Sequence, residues 1–193
     1  SIKIKRLGKK SMTYNQGHFE EKFAVNYDFV KMIKPKSVLD VYAGFASVYK
    51  KLNCDNVISN DKNEKSNTEY HLEALDFVCK MYIDKRKFDL IDLDPFGSAY
   101  DCFDLAIKMA KKGLVITLGE LGHKRFKRLD FVRRYYGIET LEDFTTDNLV
   151  KHIIKIGERN KKTLTPIYVK DWRNIARVYF KIEQLKITEQ WEK

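Results

Sequence analysis

Asp94 closes the apolar run Phe88-Asp89-Leu90-Ile91-Asp92-Leu93 and opens Asp94-Pro95-Phe96-Gly97. Ionised, it accepts hydrogen bonds; protonated, it donates one, so its position decides what it can do. An apolar run cut off by Pro and Gly predicts a buried strand, and ligands of open α/β sheets gather outside the carboxyl ends of such strands. Asp94 then stands at the rim, facing a site. The same Asp-Pro pair also suits the start of a helix, with Asp as cap and Pro in the first turn.

Other acids end strand-like runs in the same way. Val38-Leu39-Asp40-Val41 leads into the small-residue turn Ala43-Gly44, where the backbone can approach a ligand closely while Asp40 offers an anion to its amino group. Val57-Ile58-Ser59-Asn60 ends in Asp61, about 20 residues after Asp40, the place where an acid takes ribose hydroxyls in nucleotide-binding folds. A Gly-x-Gly-x-x-Gly pattern is missing, which disfavours a dinucleotide. Tyr70-His71-Leu72-Glu73-Ala74 reads as a third such edge, with Asp76 in the first turn of the next helix, where it suits a capping or dipole role.

The elements that must hold these acids can be read from periodicity. Helices are expected over Phe19–Ile33, before Pro35, over Ser47–Leu52, along Phe103-Ala106-Ile107-Ala110 with Gly113 as stop, and over Asn148–Ile156 with Gly157 as stop. Leu114–Gly119 reads as a central strand, and Thr163–Lys170 with Ile175–Glu183 as an antiparallel hairpin. Residues 1–193 make one expected α/β domain whose first 13 residues form a basic arm.

The net charge of +10, from 37 Lys and Arg against 27 Asp and Glu, favours a polyanionic partner. Its densest stretch carries Lys124, Arg125, Lys127, Arg128, Arg133 and Arg134 around Phe126 and Phe131. Cations on phosphates and rings on bases grip looped nucleic acid this way, although a solvated helix with both rings in the core has the same pattern. The three cysteines and four histidines are scattered without ligand spacing, so neither zinc nor another metal is expected. The amino terminus has no secretory pattern, and a cytoplasmic location is expected.

Asp94-Pro95-Phe96-Gly97, continuing into Ser98, resembles the catalytic motif of tRNA guanine-N2 methyltransferases and, more loosely, the Asp-Pro-Pro-Tyr motif of amino-directed DNA methyltransferases. Tyr14-Asn15-Gln16, Asn26-Tyr27-Asp28-Phe29 and Glu73-Ala74 echo further elements of the tRNA enzymes, with Phe45 where glycine is common. The resemblance implies a class I S-adenosylmethionine-dependent methyltransferase: a Rossmann-like, mostly parallel seven-stranded sheet with a C-terminal antiparallel hairpin and helices on both faces. It implies S-adenosylmethionine held by Asp40, Ala43, Gly44, Asp61 and Glu73, less so by Asp76 and Asn26. Asp94 and the Pro95 carbonyl would accept the N–H groups of an exocyclic amine, with Phe96 stacked on the base and Gly97 completing the motif. RNA, tRNA in particular, is favoured over DNA. The alternatives are a DNA amino-methyltransferase and a non-catalytic nucleic-acid-binding protein on the same scaffold.

Overall fold

The computed structural model describes residues 5–6 and 16–185. Tyr14 and Asn15 lie outside them, as do the side chains of the basic arm. Seven strands form one sheet: β1 (Lys5–Arg6), β2 (Val38–Asp40), β3 (Val57–Ser59), β4 (Phe88–Leu93), β5 (Ala110–Leu118), β6 (Lys162–Trp172) and β7 (Ile175–Gln184). Their order is β1-β6-β7-β5-β4-β2-β3, and β7 alone runs against its neighbours. The carboxyl ends of β2, β3, β4 and β5 therefore share one edge of the sheet.

Helices α1 (Gln16–Ile33), α2 (Val48–Lys51), α3 (Ala74–Ile83), α4 (Tyr100–Met109), α5 (Asp130–Tyr136) and α6 (Thr146–Arg159) cover both faces, with a 3-10 helix at Gly119–Phe126. All six residues of β4 are buried, and alternation divides them. Ile91 and Leu93 join the larger core with Phe77, Phe103 and Ile153, while Leu90 packs with Phe29, Val38, Val115 and Tyr179 in the smaller one. Helix α1 lies on that smaller side, and Lys22, Asn26, Phe29 and Ile33 follow the helical spacing of its inner face.

Three expectations give way to packing. Tyr70–Ala74 is not a strand. Among the described residues its pairing is a single bridge from Asn60 to Tyr70, because the Asn60 side chain satisfies both the N–H and the carbonyl of Leu72 in place of a neighbouring strand. Gly113 and Gly157 are not helix stops. Gly113 lies inside β5, where a Cβ would meet the Phe29 ring and Leu90 at 3.1 Å. Gly157 lies inside α6, where a Cβ would stand 2.5 Å from Leu164, so glycine lets helix and strand approach. At the other edge of the sheet, β1 pairs only with Tyr168 and Val169, next to an irregularity in β6 between Pro166 and Tyr168.

Candidate active site

Alternation along the strands brings Asp40, Asp92, Asp94, Thr117, Arg177 and Tyr179 to the face covered by α1. Arg177 is fully buried. Its guanidinium grips both oxygens of Asp92 and also donates to Thr117 Oγ1 at 2.9 Å and to Asn26 Oδ1 at 3.1 Å. The Tyr179 hydroxyl donates to Asn26 at 2.7 Å, and the Tyr49 hydroxyl donates to Asp92. This network ties α1, α2, β4, β5 and β7 together beneath the carboxyl edge. A buried charge with so many partners avoids the large penalty of an unpaired one.

Asp94 stands one step further out. Lys22 Nζ donates to both of its oxygens at 3.1 Å, and Arg177 lies 3.8 Å from Oδ1. Burial alone would push this carboxyl up, but Arg177, then Lys22 and the Thr117 hydroxyl, hold it below the usual carboxylate range. Asp40 behaves oppositely. Burial first, and then the charge of Asp92, push it up to about 8, although Ser47 Oγ donates to Oδ2 at 2.6 Å. Burial and Asp92 thus favour the protonated form of Asp40, while Arg177 and Lys22 favour the ionised form of Asp94.

The helix that Asp94-Pro95 could have started begins only at Tyr100, with Ala99 at its cap, which frees Asp94 for the rim. In the loop between, Pro95 is buried and Phe96 is fully exposed. Ser98 Oγ accepts from the Tyr100 N–H at 3.1 Å and donates to Glu120 Oε1 at 2.5 Å, which also accepts from the Tyr136 hydroxyl. Burial pushes the Glu120 carboxyl up. Gly119 sits directly beneath the loop: a Cβ there would stand 2.2 Å from the Gly97 carbonyl oxygen.

The remaining predicted residues line the β2–β3 half of the edge. Gly44 is left-handed at φ +65°, with nothing within 4 Å of where a side chain would project. Its N–H donates to Asp61 Oδ2 at 3.0 Å, and Asp61 Oδ1 accepts from Asn63. Ala43 N–H donates to the Asn60 carbonyl, and Asn67 N–H to that of Phe45, so the two loops are joined before any ligand arrives. Glu73 occupies the cap of α3 without using its side chain there and is exposed, 3.6 Å from Lys62; Asp76 is exposed in the first turn of that helix. Asn26 is set apart from this half, buried in the arginine network.

The basic stretch is not one helix. Lys127, at φ 52°, separates the 3-10 helix from α5. Phe126 is exposed, with the Arg125 and Arg128 guanidiniums 5.6 and 5.3 Å from its ring centre, whereas Phe131 stacks on Tyr135 at 4.3 Å against the larger core. Lys124 donates to the Phe144 carbonyl, and Arg133 pairs with Glu139.

Sequence reading missed Lys22, Asp92, Arg177 and Glu120. Charges inside the apolar runs of β4 and β7 were the available signal: Asp92 and Arg177 each interrupt a buried strand and need each other.

Parallel strands with their carboxyl ends along one edge, an acid-ended β2 leading into a glycine turn, and a final antiparallel strand define the class I S-adenosylmethionine-dependent methyltransferase fold. Solved structures agree. Trm1 from Pyrococcus horikoshii, solved with S-adenosyl-L-methionine, superposes with a TM-score of 0.69 at 18% identity over 89% of this chain and 56% of its own. Magnesium protoporphyrin IX methyltransferase from Synechocystis PCC 6803, with bound SAH, gives 0.56 at 15% identity over 91% and 89%. The E. cuniculi Mtq2–Trm112 complex gives 0.54 at 14% over 89% and 98%. This chain thus spans about half the length of the Pyrococcus protein. A sequence search of the curated proteins finds no match. The model of the N2,N2-dimethylguanosine tRNA methyltransferase family matches residues 46–190, and the chain belongs to that family.

Proposed function

We propose that this chain is a single methyltransferase domain that transfers a methyl group from S-adenosylmethionine to the N2 amine of guanine in tRNA. The observation that carries the reading is Asp94, set at the carboxyl edge between Lys22 and Arg177 beside a fully exposed Phe96, in a chain of this family. An exocyclic amine is a weak nucleophile because its lone pair is delocalised into the ring. Asp94 would accept one N–H and the Pro95 carbonyl the other, localising that pair, while Phe96 stacks on a base turned out of its helix. When bound, the cofactor supplies a methyl group on a sulfonium: a C–S bond breaks as the C–N bond forms. Asp94 receives the proton that the amine gives up.

The open space at Gly44 and the acids around it suit such a cofactor. Asp40, with Ala43 and Gly44, would face the methionine end and ionise against its ammonium group. Asp61 would take the ribose hydroxyls with its remaining lone pairs, and Glu73, less so Asp76, the adenine amine. Asn26 belongs to the site through the arginine network it anchors. Lys124, Arg125, Lys127, Arg128, Arg133 and Arg134 would meet the RNA backbone, with Phe126 as a stacking face. Among the described residues no helix is long and apolar enough to cross a membrane, and no group of His, Cys, Asp or Glu is arranged to hold a metal; a cytoplasmic location fits a tRNA substrate.

The test is incubation with labelled S-adenosylmethionine and, separately, unmodified tRNA, ribosomal RNA and duplex DNA, followed by digestion to nucleosides and mass spectrometry. Label in N2-methylated guanosine from tRNA is expected, and Asp94→Ala should abolish it while cofactor binding persists. Label in N6-methyladenine from DNA, or turnover surviving in Asp94→Ala, would overturn the reading.

A further inference from the structure

Lys22 is neither part of the tetrapeptide nor a surface cation. It places one ammonium against both oxygens of Asp94 at 3.1 Å, on the oxygens that an incoming amine must reach. The groups facing Asp94 are Lys22 from α1, Arg177 and Tyr179 from β7, Thr117 from β5, Asp40 from β2 and Asp92 from its own strand. Of the two cations among the described residues, one is placed to move. Arg177 is sealed in and held by Asp92, Thr117 and Asn26, whereas the side chains of Lys22 and Asp94 are 24% and 30% exposed.

The backbone under Lys22 is fixed from both sides. Glu21 pairs with Lys170 at 3.0 Å and accepts from Trp172 Nε1 at 3.3 Å, and Asn26 is locked to Arg177 and Tyr179. Any release of Asp94 therefore falls to the lysine's flexible four-carbon stem. Release is also required by charge. As the methyl group arrives, the amine becomes positive; a bare carboxylate beside it lowers the barrier, and an ammonium beside it raises it. A departing lysine needs another anion, and the one an RNA brings next to its target base is a phosphodiester.

We propose that Lys22 is a specificity-determining latch: in the free protein it occupies Asp94, and it yields that carboxylate to the target amine by moving onto a phosphate of the RNA that delivers the base. An isolated nucleoside offers no such phosphate and meets a closed site. The inference rests on the reading of Asp94 as the acceptor of the amine.

The test uses the whole chain with Lys22→Gln and Lys22→Arg. In carbon-13 titrations of the free protein, with Asp94→Asn for assignment, the Asp94 midpoint should be higher in Lys22→Gln than in the wild type and be restored in Lys22→Arg. An unchanged midpoint overturns the latch. In tRNA binding across a salt series, Lys22→Gln should lower the slope of log K against log salt by about 0.7–0.9, one phosphate's worth, and Lys22→Arg should keep it. An unchanged slope means that Lys22 stays on Asp94, which also overturns the proposal. In methyl transfer, Lys22→Gln should lower kcat/KM for tRNA through KM and raise the rate on free guanosine; a loss on both refutes it. If wild-type protein methylates no RNA, the proposed function fails, while the titration and the salt series still decide the latch because neither requires turnover.

Discussion

Gly119→Ala tests whether the tetrapeptide's placement matters as much as its chemistry. The added Cβ would stand 2.2 Å from the Gly97 oxygen, 3.0 Å from its carbonyl carbon and 3.1 Å from its Cα. All three neighbours are backbone, so no side chain can rotate away. Regaining even about 3.2 Å, still inside the ~3.5 Å optimum for packed atoms, moves the loop by about 1 Å. A displacement of that size at a reacting group costs about 10²-fold in rate, or about 2.7 kcal/mol of transition-state stabilisation. Cofactor affinity should stay within about twofold, because Asp40 ends β2 and Gly44 and Asp61 lie on the loops after β2 and β3, and overpacking should lower stability by about 1–3 kcal/mol. The assay compares kcat on tRNA, cofactor Kd by calorimetry and urea unfolding. Turnover within about threefold of wild type, or a defect confined to cofactor binding, would refute the reasoning.

Replacing Arg177 with Met strands Asp92 in the core and should cost about 3–5 kcal/mol in urea unfolding, with part of the loss recovered when Asp92→Asn is added. Asp40 bears on pH dependence. The unfolded chain releases its proton near 3.8, as an ordinary aspartate does, and the folded chain near 8, so folding takes up a proton between those values and the Asp40 contribution to stability falls as pH rises through that window. Asp40→Asn should therefore gain stability relative to wild type from pH 5 to pH 8 in paired unfolding curves; a constant difference would show that Asp40 does not retain its proton. Replacing Arg125 and Arg128 together by Ala should reduce the salt slope of tRNA binding by about 1.4–1.8, two phosphates' worth, with cofactor affinity unchanged.

The parallel sheet, the acid-ended strands and the terminal hairpin were legible because each is a local pattern: an apolar run, then an acid, then a turn. The position of Asp94 directly after the apolar run of β4 was legible for the same reason. What escaped depends on distant partners. Gly113 and Gly157 look like helix stops in sequence, and only the Phe29 ring and the Leu164 side chain reveal that glycine is there for close approach. Tyr70–Ala74 carries the apolar residues of a strand, but the Asn60 side chain takes over its backbone bonds. Lys22 looks like one more charge on a basic chain until the helix that carries it is laid over β4. The arginine network joins residues 151 and 85 positions apart, beyond what spacing can show.

The outer side of β6 also affects how molecules of this protein meet one another. A strand of eleven residues at the margin of a sheet is a template for pairing with a second chain, and among the described residues β1 covers only Tyr168 and Val169 of it. The rest is poorly suited to recruitment. Pro166 has no N–H to offer, and the irregularity beside it breaks the regular run of donors and acceptors. Along its described length, the outer side of β6 is thus built to resist edge-to-edge pairing.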